Sequence, residues 1–164
     1  MDLHSTVGPA RTTVAQIAER AGVQRHTYYA HFPQEWDLLL ACSGLALERD
    51  PLPEPEQLCS IAPGYERIVA GLADFYSWFA RNEQQAACVL RDAEHHRLTG
   101  EVVQLRMAPT FAAAAELMGE GLGPRALALL AVALEFACWR TLARDHSPPQ
   151  AAALMGEAIV QVRD

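Results

Sequence analysis

The residues best equipped for chemistry are crowded into residues 21 to 36, AGVQRHTYYAHFPQEW. Here a glycine at 22 is followed by Gln24, Arg25, His26, Thr27, Tyr29 and His31. An arginine presents a rigid fork of donors to a guanine edge, while hydroxyl, amide and imidazole groups bond to phosphate oxygens or base edges. The chemistry on offer is therefore recognition of nucleic acid. Bond-making chemistry has no comparable support. The sequence lacks GxSxG, HExxH, a phosphate-cradling glycine loop and any close Cys/His arrangement, so no enzyme reaction is expected.

Metal and cofactor chemistry are not expected either. Cys42, Cys59, Cys88 and Cys138 lie far apart, without a CxxC pair or a histidine at zinc-finger spacing. Each sits among apolar neighbours, as small buried hydrophobes do in a reducing cytoplasm. His95 and His96 are adjacent, so on a helix they point about 100° apart and share one ion poorly. A solvated helix end is the expected place for them.

A helix-turn-helix would hold such a reading set in place. That unit needs a small residue where two helices cross, a glycine able to take positive φ, and an apolar residue just after it. Ala18, Gly22 and Val23 stand at the required spacing. VAQIAERAGV puts Val14, Ile17, Ala18 and Ala21 on one helical face, with Thr13 as N-cap and Gly22 as the stop. In the next helix Tyr28 and Phe32 are four apart and point inward. Arg25, His26 and Tyr29 then face out, with Gln24 and Thr27 at the edges.

Charge divides along the chain. The net charge is −7 and every one of the 13 basic residues is arginine. Residues 9–32 carry three arginines against one glutamate, whereas residues 33–164 carry ten against 18 acids. An acidic total argues against coating nucleic acid by charge alone, but a small basic head on an acidic body remains compatible with it.

The stretch TTVAQIAERAGVQRHTYYAHF, residues 12 to 32, closely resembles the DNA-binding signature of TetR-type repressors, both in its T-V-x-x-I-A-x-x-A-G-V run and in its T-x-Y-x-H-F ending. The resemblance implies an all-α homodimer with a helix-turn-helix head and a larger effector-binding, dimer-forming body. It places Thr13 on phosphate and Arg25, His26 and Thr27 on bases. Tyr29 and His31 would touch backbone or base edges, and Tyr28 would be core. The expected partners are operator DNA, a small apolar effector and a second copy of the chain.

Two features depart from that pattern. The helix that usually precedes the T-V run is expected to be missing or truncated, because only about eleven residues precede Thr12, with Gly8 and Pro9 among them. At FPQEW the family commonly has a phosphate-facing lysine where this chain has Glu35. A carboxylate suits a helix N-terminus but repels phosphate. The rival reading is therefore a TetR-like ligand-binding or protein-interaction dimer that has lost DNA binding.

Beyond QEWDLLLACSGLAL, an amphipathic helix, DPLPEPEQLCSIAPG holds Pro51, Pro53, Pro55 and Pro63 and predicts an extended linker over 50–64. The domain division falls there, with a DNA-binding head over 1–49 and an effector and dimerisation body over 50–164. In the body Ile68, Leu72, Phe75 and Phe79 align on one helix, and Asn82 caps a second running to about His96. Pro109 is expected to kink or break a helix over 100–119. An almost wholly apolar helix is predicted over about 125–145. SPPQ at 147–150 opens a last helix with Ala151, Leu154, Met155, Ala158, Ile159 and Val162 on one face. The last two helices predict an intermolecular four-helix bundle.

Phe75, Tyr76, Phe79, Met107, Phe111 and Met118 are expected to line an apolar effector pocket, with plain core as the alternative. Glu135 lies among Ala131, Val132, Cys138 and Trp139 on the predicted helix, where a carboxylate is costly unless paired. Glu135 and Trp139 are accordingly added to the effector set, with a structural ion pair as the alternative. The longest apolar run, ALALLAVAL at 126–134, is too short to cross a bilayer, and MDLHSTVGPAR lacks a signal peptide's apolar core. A soluble cytoplasmic protein is expected.

Overall fold

The computed structural model describes residues 2–162. Among them every regular element is a helix and no strand occurs, as the patterning predicts. Ten α-helices run in order: α1 Asp2–Thr6, α2 Val14–Ala21, α3 Arg25–His31, α4 Glu35–Arg49, α5 Tyr65–Arg81, α6 Glu83–Ala93, α7 Arg97–Met118, α8 Pro124–Ala133, α9 Phe136–Leu142 and α10 Pro148–Gln161. Two 3-10 turns, Pro9–Arg11 and Pro55–Ser60, are interspersed.

The chain forms two compact units. One ends at Pro51 and resumes over Glu83–Met107; the other takes Leu52–Asn82 and the chain from Ala108 onward. The division predicted near residue 50 is therefore crossed by α6 and the first half of α7. The cause is local. Residues 2–11 cannot bury a face on one short helix and one turn, and they pack instead on α6. Asp92 of α6 is buried and accepts from the Ala10 N–H at 2.9 Å and from the Arg91 guanidinium at 2.9 Å. Arg91 in turn donates to the Val7 carbonyl, and the Cys88 thiol to that of Ser5. Gly8, at φ 101°, lies so close to Asp92 that a side chain there would collide with the carboxylate. A short helix, α1, and the 3-10 turn Pro9–Arg11 therefore precede α2.

The second unit gathers around α5, whose Ile68, Leu72, Phe75, Tyr76 and Phe79 are almost wholly buried. Part of the expected linker is packed against it. Pro55 starts a 3-10 turn that the fixed φ of proline permits, and Pro55 and Leu58 are buried there. The backbone of α10 comes close to α5 at Gly156, where a Cβ would strike the Val69 side chain. Ser147 and Gln150 form the expected capping box, with the Ser147 N–H and hydroxyl donating to Gln150 Oε1 at 2.9 and 2.8 Å.

Two helices differ from their predicted course. Pro109 lies inside α7 without breaking it, although it lacks the N–H that would have reached the carbonyl four residues back. The helix expected over 125–145 breaks at Leu134 and Glu135, and Glu135, extended at ψ 135°, caps the new helix α9. The Tyr76 hydroxyl donates at 2.8 Å to the carbonyl of Ala133, a buried acceptor at the end of α8. Glu135 is exposed, as are Ala131 and Val132 before it, so the predicted cost of burying its carboxylate does not arise.

Candidate nucleic-acid interface and effector core

Thr13 opens α2 as the sequence predicts. Its hydroxyl oxygen accepts from the Gln16 N–H at 3.3 Å, and its own N–H donates to Gln16 Oε1 at 2.8 Å. Two otherwise orphan donors are satisfied reciprocally. At the other end Gly22 adopts φ 66° and ψ 29°, a left-handed conformation that glycine reaches without steric cost. The Val23 N–H returns to the Ala18 carbonyl at 2.9 Å, closing the helix with a bond back across the turn. Ala18 is buried as the crossing requires, but Val23 is 39% exposed and does not serve as the expected apolar anchor.

The second helix, α3, is held by Tyr28. Its ring is 6% exposed and lies 5.7 Å from that of half-buried Phe32, centroid to centroid. Burial pushes the Tyr28 hydroxyl above its ordinary pKa, and the nearby Glu35 carboxylate adds to the shift. With that face fixed, Gln24, Arg25, His26, Tyr29 and His31 are exposed and Thr27 is half-buried at the edge. These residues, with exposed Thr13 one helix earlier, are the ones the sequence nominates for contact with DNA. The outward set carries donors and acceptors of the kinds that meet phosphates and base edges.

Glu35, the first residue of α4, points its Oε1 at His96 Nε2 across 3.4 Å. The other ring nitrogen of His96 is 2.7 Å from the Thr99 hydroxyl, and Thr99 is buried. His96 is therefore an anchored residue rather than the solvated helix end expected of it. His95 is the one that is solvated. Among the described residues no group of His, Cys, Asp and Glu is arranged to hold a metal.

In the second unit the nominated effector residues divide. Phe75, Phe79, Phe111 and Trp139 form a continuous aromatic set. Phe75 and Phe111 are 4.6 Å apart between centroids, Phe79 and Phe111 6.1 Å, and Phe79 and Trp139 5.7 Å. Phe136, which the sequence reading passed over, joins at 5.3 Å from Phe79 and 5.4 Å from Trp139. Its position three before Trp139 was the signal available. Tyr76 is buried alongside with its hydroxyl committed to Ala133, and burial raises that hydroxyl's pKa. Met107 belongs to the other unit, and Glu135 is exposed rather than turned into this core. Arg67 is the buried charge of this unit; it donates to the carbonyls of Ile61 and Leu117 and pairs with Glu120 at 2.6 Å.

A capped helix, a left-handed glycine turn and a short second helix with a polar outer face define a helix-turn-helix of the DNA-binding kind. Residues 1–42 match the model of the family described as bacterial regulatory proteins, tetR family, and the helix-turn-helix lies within that matched segment. No curated protein matches the chain, and no solved structure does.

Proposed function

We propose that the protein is a ligand-responsive transcriptional repressor that works in the cytoplasm as a homodimer. The observation that carries the reading is α3 itself, fixed by buried Tyr28 and presenting Arg25, His26 and Tyr29 outward. In a dimer two such helices would enter successive major grooves roughly 34 to 36 Å apart. The dimer surface would come from α8 and α10, which leave Leu127, Val132, Leu154 and Val160 exposed. Of the stripe predicted for that interface, Ala151 and Ile159 are spent on the protein's own core. An effector held by the aromatic set of the second unit would release DNA by binding the DNA-incompetent arrangement more tightly.

A mobility-shift assay with DNA flanking the protein's own gene tests the reading. Arg25→Ala should lose discrimination at one base position, about 1 to 3 kcal/mol, whereas Tyr29→Phe should weaken all sites alike. Equal losses of Arg25→Ala on specific and scrambled DNA would make Arg25 a mere charge. A monomer mass at micromolar concentration in sedimentation equilibrium would remove the dimer. Exposed Glu35 at the start of α4 favours a second reading, a ligand-binding dimer without DNA affinity; failure of the native chain to shift any DNA would select it.

A further inference from the structure

We propose that the effector of the second unit is a neutral aromatic molecule carrying a hydrogen-bond acceptor, and that the Trp139 indole N–H receives this acceptor. The inference rests on the ligand-responsive reading and specifies its chemistry. Trp139 is 2% exposed, and its Nε1 is the one buried side-chain nitrogen or oxygen among the described residues without a hydrogen-bond partner. A buried indole N–H ordinarily finds one. Other buried polar groups of this unit are already committed: the Tyr76 hydroxyl to Ala133, and the Arg67 guanidinium, at the far end of α5, to two carbonyls and Glu120. Among the described residues, the buried donor left without a partner is the Trp139 indole N–H.

The surroundings set the rest of the ligand. Phe79 and Phe136 lie 5.7 and 5.4 Å from the indole, and Phe111 and Phe75 extend the array, so the surroundings of the indole are aromatic rings. Such rings pair best with another flat aromatic body. Among the described residues the buried charge of this unit, Arg67, is paired with Glu120, and Glu135 is exposed, so a neutral ligand suits the aromatic set better than a charged one. An indole N–H donates only, so the ligand must supply the acceptor. A ketone, ether or ring nitrogen meets that requirement.

The test uses the full chain carrying Trp36→Phe and Trp78→Phe, which leaves Trp139 as its single indole. Two pairs of probes match in shape and differ in the acceptor: acetophenone with α-methylstyrene, and 2-acetylnaphthalene with 2-isopropenylnaphthalene. The ketone of at least one pair should bind about tenfold more tightly than its hydrocarbon, the value of one buried hydrogen bond. It should also move the Trp139 indole N–H resonance downfield. Trp139→Phe in the otherwise native chain should bring ketone and hydrocarbon to equal affinity while keeping hydrocarbon binding. Equal affinities in the Trp139 protein, or ketone binding with an unmoved indole resonance, would refute the donor assignment and leave a ligand-responsive body intact. Failure of all four compounds to bind would refute the ligand class. Ketone binding that leaves operator affinity unchanged would instead overturn the ligand-responsive reading, with the donor assignment standing.

Discussion

Exchange of Glu35 for lysine sets the motif against the acidic balance of the chain at one position. Glu35 is half exposed and faces His96 across 3.4 Å at the first turn of α4, where Asp37 adds a second carboxylate. An ion pair at that exposure contributes about 0 to 1 kcal/mol, and a negative charge at a helix N-terminus roughly 0.3 to 1 kcal/mol. Glu35→Lys should therefore lower folding stability by about 1 kcal/mol, visible as a small shift of the denaturation midpoint. The DNA effect is opposite in sign. If α3 lies in a groove, a lysine at 35 replaces repulsion with one phosphate contact, and the slope of log K against log salt steepens by about 0.9. Between about 50 and 200 mM salt the variant should then lose roughly threefold more affinity than the native protein, starting from a higher value. Glu35→Gln provides the control, because it removes repulsion without adding a cation. Fluorescence anisotropy on operator and scrambled duplexes over a salt series reads both quantities. Unchanged affinity and slope in Glu35→Lys would show that residue 35 does not face DNA. Absence of binding by both proteins would replace the repressor reading with the DNA-free one.

Tyr76→Phe strands the buried Ala133 carbonyl and should cost about 1 to 3 kcal/mol in urea unfolding, whereas a cost near zero would mean that the α8–α9 break does not depend on that bond. Gly22→Ala meets no neighbour within 4 Å, so its cost is backbone strain alone, about 1 to 2 kcal/mol, and operator affinity should fall with it; a stable variant would contradict the left-handed turn. Burial holds the His4 imidazole below its usual pKa, so the folded protein binds fewer protons than the unfolded chain. Above the unfolded value of about 6.5 the neutral imidazole costs nothing, and stability falls as pH drops below that value toward the lower folded one. Unfolding midpoints measured from about pH 7.5 to 5.5 should decline less in His4→Gln than in the native chain, and identical declines would refute the burial.

What was legible in the sequence was what adjacent residues decide. Thr13 as an N-cap, Ser147 with Gln150 as a capping box and Gly22 as a helix stop are each decided within one turn. Tyr28 was placed inward by its spacing from Phe32. The tie between the first residues and α6 was not legible, because Ala10 and Asp92 are 82 positions apart and an Arg-Asp pair on a polar helix face gives no sign of what it holds. The proline-rich segment misled in the same way. Prolines exclude α-helix, but they are compatible with the 3-10 turn through which Pro55 and Leu58 reach the core.

The break before α9 shows most clearly how a local reading fails at a site. Residues 126–134 are apolar without glycine or proline, so period and propensity both extend the helix through Glu135. The chain nevertheless leaves the helix after Ala133, with Leu134 buried and Glu135 exposed before α9 begins at Phe136. Ending α8 at Ala133 frees a carbonyl, a loss that one tyrosine hydroxyl from α5 makes good at 2.8 Å. The same break starts α9 and brings Phe136 and Trp139 against Phe79. The residue that looked like the polar centre of an effector site is exposed to solvent, and the polar group left inside the aromatic core is the indole N–H beside it.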